Sequence, residues 1–303
     1  MINDRQRFAI GSSILAVYII WGSTYLGLRF ALEGGFPPFL MGGIRFIAAG
    51  LALYWWALRN GSSHPTPREW RNATVIGGLM LVGGVGLVTI AEDNGVGSGV
   101  VATAIAAMPL WVAVLGIGFG HRPHRLEWFG LLVGFGGVVM LSFEGDFDTT
   151  TLGLILVIIA PVWWALGSVL LGRLVLPRGT MGTSAQMLGG GVLLTLGGLL
   201  RGEQITEMPT IGAWLALGYL IVFGSIWAFG AYIYLLANVR PAVATSYAYV
   251  NPAVAVLLGV TLGAEIVSGW TLGGLPVILL GVAIVGLAQR RSRHRKSPKR
   301  PDN

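Results

Sequence analysis

The sequence predicts an all-α integral membrane protein with ten transmembrane helices arranged as two inverted five-helix repeats. Hydrophobic residues make up 54% of the 303 residues and charged residues only 11%, whereas soluble domains carry about 25% charged residues. So few charges cannot cover a water-soluble surface, so lipid must surround most of the chain. Groups of residues that recur about 142 to 145 positions apart predict the repeat.

Ten apolar segments of about 18 to 25 residues, separated by short loops, predict the helices. At a rise of 1.5 Å per residue, such a segment crosses a hydrocarbon core of roughly 30 Å. The predicted spans cover residues 8–29, 37–58, 71–91, 97–120, 126–143, 152–174, 181–200, 210–234, 240–263 and 269–289.

Basic residues separate to one side when the loops are assigned to alternate sides of the membrane. Of the 20 Lys and Arg residues, 17 fall on the side of the termini, and Arg29, Arg45 and Arg201 do not. Short loops enriched in this way face the cytoplasm. We therefore expect a multi-pass membrane protein with both termini in the cytoplasm. The basic tail, residues 290–303, is expected to contact anionic lipid headgroups rather than nucleic acid, because no aromatic residue is interleaved in it.

The recurring groups fall in corresponding spans of the two halves. Val112–Leu115 recur as Val254–Leu257, and Pro109 recurs as Pro252. We place the first repeat at residues 1–146 and the second at 147–303. Because five spans are an odd number, the second repeat enters the membrane from the opposite face, which predicts a pseudo-two-fold axis in the membrane plane and suits alternating access.

Pro109 and Pro252 lie within predicted spans and predict helix kinks beside a central cavity. Proline removes a backbone hydrogen bond and frees a carbonyl group, which a membrane tolerates only against protein or a wet cavity. Polar and aromatic side chains at similar depth are our candidates for binding a small-molecule substrate. They are Trp21, Ser23, Thr24, Met108, Trp163, Trp164, Trp227, Tyr232, Tyr247, Tyr249 and Asn251.

Arg45 is the most costly residue within a span, since an arginine at a helix centre costs about 2.5 to 3.5 kcal/mol on insertion scales. Glu92 or Asp93, at the outer end of the third span, is the expected carboxylate partner. Two interpretations follow. Arg45 binds a substrate carboxylate or closes an outer gate, or the two residues form a structural ion pair between spans two and three.

The sequence predicts neither a cofactor, a metal site nor an enzyme. It contains no cysteine, which excludes disulfides and thiolate metal sites. Ser23 and Ser168 have no histidine or carboxylate in their own spans, so no catalytic group is apparent at depth. The lack of a mid-membrane carboxylate favours facilitated diffusion or exchange over obligate proton antiport.

Several motifs carry a family resemblance that extends over essentially the whole chain. They are YIIWGSTY (Tyr18–Tyr25), Pro37-Pro38, GIRF (Gly43–Phe46), Ala91-Glu92, Pro109-Leu110, ATSYAYVNP (Ala244–Pro252) and Ala264-Glu265. Together they resemble EamA-type exporters of the drug/metabolite transporter superfamily. The resemblance implies ten helices in two inverted repeats, cytoplasmic termini and export of amphipathic metabolites, often amino acids. It also supports Trp21, Trp163, Tyr247 and Asn251 as cavity residues.

From the residues and the resemblance together we expect an exporter of amino acids or similar amphipathic metabolites that lies in the bacterial inner membrane and works by alternating access. A broad-specificity drug or metabolite efflux carrier, with or without coupling to protons, is the alternative; a channel and an intramembrane enzyme are further alternatives. Phosphorylated substrates are disfavoured because only Arg45, with Arg29 near the outer end, supplies positive charge.

Overall fold

Helices form nearly all of the described part of the chain. The computed structural model describes residues 4–94, 96, 101, 104–142, 150–254 and 269–296. The helices are α1 (Asp4–Glu33), α2 (Pro38–Arg59), α3 (Pro67–Asp93), α4 (Met108–Gly118), α5 (Arg125–Ser142), α6 (Thr151–Leu171), α7 (Thr180–Leu200), α8 (Ile211–Asn238), α9 (Pro241–Ala244, then 247–254) and α10 (Gly269–Lys296). No strand occurs within these ranges.

Six of these helices are long and apolar enough to cross a membrane. They are α1, α2, α3, α6, α7 and α8, and each has between 21 and 30 residues. Shorter apolar stretches, Ala104–Gly118 and Gly273–Ala288, include α4 and part of α10. The described residues thus form an all-helical chain with several potential membrane spans, whereas the count of ten and the inverted repeat stay predictions.

Some predicted features lie outside the described residues. They are residues 97–100 and 102–103 of the fourth predicted span, 255–263 of the ninth, the boundary between the predicted repeats at residue 146, and residues 297–303 of the basic tail.

Threonine caps begin both α3 and α8. The Thr66 hydroxyl accepts a hydrogen bond from the Glu69 amide at 3.3 Å, and the Glu69 carboxylate accepts one from the Thr66 amide at 2.8 Å. At α8, Thr210 accepts from the Ala213 amide at 3.2 Å. These bonds satisfy amide groups that have no partner within the first helical turn, so the local sequence sets where each helix begins.

The middle turns of α3 and α8 are π-helical, over Gly78–Gly86 and Leu220–Phe229. A π-helix bonds residue i to residue i+5 and is wider than an α-helix; such turns are rare and often occur at functional sites. The wider turns change which side chains of α3 and α8 face the interior.

Close helix pairs hold the bundle together. Helix α2 packs on α7 and α5 on α10, while α1 packs on α8 and α6 on α3. Small residues permit the closest approaches: a Cβ atom on Gly281 of α10 would lie 2.5 Å from the Cα atom of Gly134 in α5. In lipid, where no hydrophobic force draws apolar helices together, such close contacts stabilise helix pairs.

Large apolar side chains cover the outside of the bundle. Leu15, Leu51 and Leu196 are each at least half exposed, and an apolar surface of this extent is unsuited to water. The helices bury a second apolar region on their inner faces, and the candidate site lies there.

Candidate functional site

A cavity of about 120 Å³ lies between α1, α2, α3, α4, α6, α8 and α9. Its polar lining residues are Thr24, Arg45, Thr89 and Asn251. The others are Trp21, Leu28, Phe46, Leu81, Gly84, Val85, Val88, Ile105, Met108, Ala160, Pro161, Trp164, Gly224, Phe229 and Tyr247. Because an apolar cavity of roughly 150 Å³ in another protein accepts benzene, this cavity suits a small organic molecule with an apolar body.

Four aromatic side chains, which we call the aromatic cluster, pack together at one wall of the cavity. Trp21 contacts Tyr247 at 4.6 Å between ring centroids, Tyr232 at 5.2 Å and Trp164 at 5.6 Å. Tyr232 lies behind the wall and contacts Tyr247 edge to face at 5.4 Å. Edge-to-face pairs stabilise by about 0.5 to 1.5 kcal/mol beyond their burial, so α1, α6, α8 and α9 meet at a specific geometry.

Hydrogen bonds fix the orientation of both cavity tryptophans. The Trp21 Nε1 donates to the backbone carbonyl of Gly224 at 2.9 Å, and the Trp164 Nε1 donates to the Tyr232 hydroxyl at 3.2 Å. The Tyr232 hydroxyl also pairs with the Ser168 hydroxyl at 2.8 Å. Buried indole and phenol groups need such partners, and here the partners hold the indole rings at the cavity wall.

Arg45 brings a positive charge into the cavity. The residue is 5% exposed, and its Nε donates to the Ser225 hydroxyl at 2.8 Å. The guanidinium carbon lies 4.8 Å from the centre of the Phe46 ring. Gly224 leaves space for the guanidinium, because a Cβ atom at that position would lie 2.8 Å from the Arg45 Nη2.

Arg45 and Glu92, both within the described part of the chain, do not form the ion pair expected from the sequence. The described salt bridges join other residues, including Arg240 with Glu127 and Arg29 with Glu33. The side chain of Arg45 points instead toward α8, where Ser225 accepts its hydrogen bond. In this arrangement of the helices, Ser225 rather than Glu92 is therefore the partner of Arg45.

Asn251 is a buried polar residue of the cavity whose side chain has unused hydrogen-bonding capacity. It is 2% exposed, and its Oδ1 has no hydrogen-bond partner among the described residues. An unpaired buried carbonyl oxygen costs about 1 to 3 kcal/mol. A donor group on a bound solute would relieve that cost.

Two predicted site residues, Trp163 and Trp227, lie outside the cavity lining. Trp163 is 40% exposed and Trp227 is 61% exposed, and both face outward from their helices. Trp164, adjacent to Trp163, points inward and lines the cavity.

Ser23 and Tyr249 also point away from the cavity. The Ser23 hydroxyl pairs with the Tyr219 hydroxyl at 2.6 Å. Tyr249 donates to the backbone carbonyl of Leu131 at 2.9 Å and belongs to a separate buried cluster between α4, α5, α9 and α10. Trp21, Thr24, Met108, Trp164, Tyr247 and Asn251 line the cavity, and Tyr232 supports its wall.

The two prolines predicted to kink helices occupy different positions. Pro109 lies in the first turn of α4, after a break at Ala107. Its missing amide costs nothing there, because the first turn of a helix has no acceptor for that group. Pro109 therefore lies at the start of α4, directly after the break at Ala107 within the apolar stretch Ala104–Gly118. Pro252 lies within the helical residues 247–254, directly after Asn251.

The sequence prediction missed several cavity residues. Phe46, Thr89, Pro161 and Phe229 line the cavity, and Ser225 holds Arg45. Pro161 carried a usable signal, since it lies inside the apolar helix α6. Ser225, a polar residue at depth in an apolar span, carried another.

A family model matches the chain twice and nearly throughout. The model of the EamA-like transporter family matches residues 10–143 and again residues 151–287. The chain belongs to the EamA-like transporter family. This confirms the resemblance found in the sequence, identifies the chain as a membrane transporter and points away from an enzyme.

Curated relatives agree with this membership. The Uncharacterized inner membrane transporter YedA of Escherichia coli (strain K12) is 43% identical over 285 residues, which cover 94% of this chain and 93% of YedA. The Uncharacterized transporter YdfC of Bacillus subtilis (strain 168) is 26% identical over 88% of this chain and 85% of its own length. A solved crystal structure shares the fold, with a TM-score of 0.75, 20% identity and coverage of 94% of this chain and 98% of that chain. The relatives and the apolar helices support a multi-pass protein of the inner membrane.

Proposed function

We propose that this transporter exports amino acids or similar amphipathic metabolites by alternating access. The observation that carries the proposal is the composition of the cavity. The aromatic cluster and apolar side chains suit an apolar body, while Arg45 and Asn251 supply a cation and a hydrogen-bond acceptor for the two polar groups of an amino acid. Ligand sites commonly combine an apolar lining with a few polar groups in this way.

Reciprocal packing between the two halves supports alternating access. Helices α1 and α8 pack together as α6 and α3 do, and the pairs α2–α7 and α5–α10 each join one half to the other. The family model also matches the two halves separately. Two halves that exchange these contacts can open one site to each side in turn. The distribution of basic residues supports cytoplasmic termini.

Counterflow in proteoliposomes tests the proposal. Vesicles that contain the purified full chain and an unlabelled amino acid mixture are diluted into labelled leucine or phenylalanine with no pH gradient. Saturable uptake above protein-free vesicles is expected. No uptake of any labelled amino acid, with or without a pH gradient, would refute amino acid export.

Adjacent tryptophans sharpen the test. Trp164→Phe removes an indole from the cavity and its bond to Tyr232, so the KM for counterflow should rise several-fold. Trp163→Phe changes an outward-facing ring, so its effect should be smaller. The reverse order would show that the described cavity is not the transport site.

A drug or metabolite efflux carrier is a second candidate, and the largely apolar lining favours it. Proton coupling would require a titratable group on the path, and no Asp, Glu or His lines the cavity among the described residues. Flux of apolar drugs that depends on an imposed pH gradient, without amino acid counterflow, would favour this candidate.

A further inference from the structure

Arg45 has bonding capacity that the described protein does not use. A guanidinium carries five N–H donors in one plane. One of them, on Nε, donates to Ser225, and no other described residue accepts a hydrogen bond from Arg45. The two terminal nitrogens therefore remain available at the cavity, in the fork geometry that matches a carboxylate.

The neighbours of Arg45 hold the guanidinium in this position. Ser225 binds the inner nitrogen and Phe46 lies beside the guanidinium carbon. Gly224 permits the close approach of Nη2, and the carbonyl of the same glycine holds Trp21. Gly224 and Ser225, which are consecutive residues of α8, thus fix Trp21 of the aromatic cluster and the Arg45 cation. A polar group is thereby pre-organised beside an apolar surface.

The charge of the cavity determines which solutes it accepts. Within the described lining, Arg45 is the sole charged residue. An isolated charge inside the membrane is costly, and a bound carboxylate neutralises it, whereas a bound ammonium adds a second positive charge. Asn251 offers an ammonium group only a neutral acceptor, which does not remove the repulsion between the ammonium and the Arg45 cation.

We propose that Arg45 binds the carboxylate of the transported solute, so that the site selects compact apolar monocarboxylates and does not require an amino group. This inference rests on the proposed transport function and names the substrate class of the same site. Neutral amino acids belong to the class, and so do carboxylates that lack the amino group. Cationic amines are excluded.

Three solutes with one apolar body test the proposal. Leucine carries both polar groups, 4-methylpentanoate carries only the carboxylate, and 3-methylbutylamine carries only the amine. Binding of each to the purified full chain is measured by titration calorimetry near pH 7. Leucine and 4-methylpentanoate should both bind, leucine more tightly because its amino group also reaches Asn251, and 3-methylbutylamine should bind at least roughly tenfold more weakly than 4-methylpentanoate.

Variants of two arginines complete the test. Arg45→Gln should lower the binding affinity for leucine and for 4-methylpentanoate roughly 10- to 100-fold. Arg45→Lys keeps the charge but loses the fork, so its affinity should be intermediate. Arg29→Gln is the matched control, because Arg29 is exposed and pairs with Glu33. Size-exclusion chromatography checks that each variant is folded. If Arg45→Gln does not fold, the affinity of Arg45→Lys for the two carboxylates replaces it as the test.

The outcomes separate this inference from the proposed function. If 3-methylbutylamine binds as tightly as 4-methylpentanoate or more tightly, the proposed role of Arg45 is overturned even if leucine counterflow is present. The same follows if Arg45→Gln binds both carboxylates as tightly as the wild type does. Failure of both carboxylates to bind also overturns it. Arg45-dependent carboxylate binding without any counterflow supports the site and refutes the transport proposal.

Discussion

An alanine at position 224 should weaken carboxylate binding while the protein remains folded. A Cβ atom there would lie 2.8 Å from the Arg45 Nη2 and 3.0 Å from the Thr24 Cγ2. Ordinary contacts between heavy atoms are about 3.5 to 4.0 Å, so the guanidinium must move by roughly 1 Å. The end of an arginine side chain can make this movement, which keeps the cost to the fold small.

The magnitude follows from the bond that is lost. A displaced guanidinium keeps its charge but loses the alignment of one terminal nitrogen with the carboxylate. A hydrogen bond to a charged group contributes about 1.5 to 3 kcal/mol, which corresponds to a roughly 10- to 100-fold loss in affinity. Alanine is favoured over glycine in helices by about 1 kcal/mol, so the stability of the fold should change little.

Titration with leucine and 4-methylpentanoate, together with thermal unfolding, measures both effects. Gly230→Ala is the matched control, since it lies in the same helix and a Cβ atom there meets nothing within 4 Å. We expect its affinity to equal that of the wild type. If Gly224→Ala binds both solutes as tightly as Gly230→Ala does, the position of Arg45 does not determine binding and the reasoning fails.

The remaining predictions concern packing and orientation. Gly281→Ala should lower the melting temperature of the purified protein, because overpacking against Gly134 costs about 1 to 3 kcal/mol. Gly286→Ala should leave the melting temperature unchanged, because a Cβ atom at that position meets open space. Equal melting temperatures of the two variants would contradict the close packing. The natural chain has no cysteine, so single cysteines report orientation without background. Thr206→Cys should react with a membrane-impermeant maleimide in intact cells and Ser63→Cys only after permeabilisation, and the opposite pattern would place the termini outside.

Helix positions were largely predictable because apolar runs end at charged residues, which are costly in lipid, or at prolines, which helix interiors exclude. Helix α2 covers Pro38–Arg59, against a prediction of 37–58. The proline pair and the arginine mark its ends. Helix α8 extends to Asn238, past its predicted end, and there the side-chain Nδ2 of Asn238 donates to the backbone carbonyl of Tyr234 at 2.8 Å.

Whether a side chain is directed toward the cavity or toward lipid was harder to predict. The depth of a residue in a span does not determine how its helix is rotated about its own axis. Trp163 and Trp164 have nearly the same depth, yet one faces outward and the other lines the cavity. In α8 the π-helical turns add a further rotation that the sequence pattern does not show. They place Ser225 against Arg45 and leave Trp227 on the outside.

Arg45 shows the same limit for charged pairs. Glu92 was expected as the partner because it lies at the outer end of the third predicted span, but pairing depends on which helices are adjacent. In the structure α2 also packs against the π-helical turns of α8, and Ser225 is the partner that this packing supplies.

The wide turns of α3 and α8 connect solute binding to the contact between the halves. Trp21 donates to the carbonyl of Gly224 in α8, and Gly84 in α3 lies so close to Trp164 that a Cβ atom would be 2.6 Å from its ring. A tryptophan of each half therefore packs on the wide turn of the other half. Gly224 also makes room for Arg45. A ligand shifts a conformational equilibrium only through different affinities for its states. If Arg45 binds the carboxylate of the solute as we propose, Gly224 links the bound solute to the contact between Trp21 and the wide turn of α8.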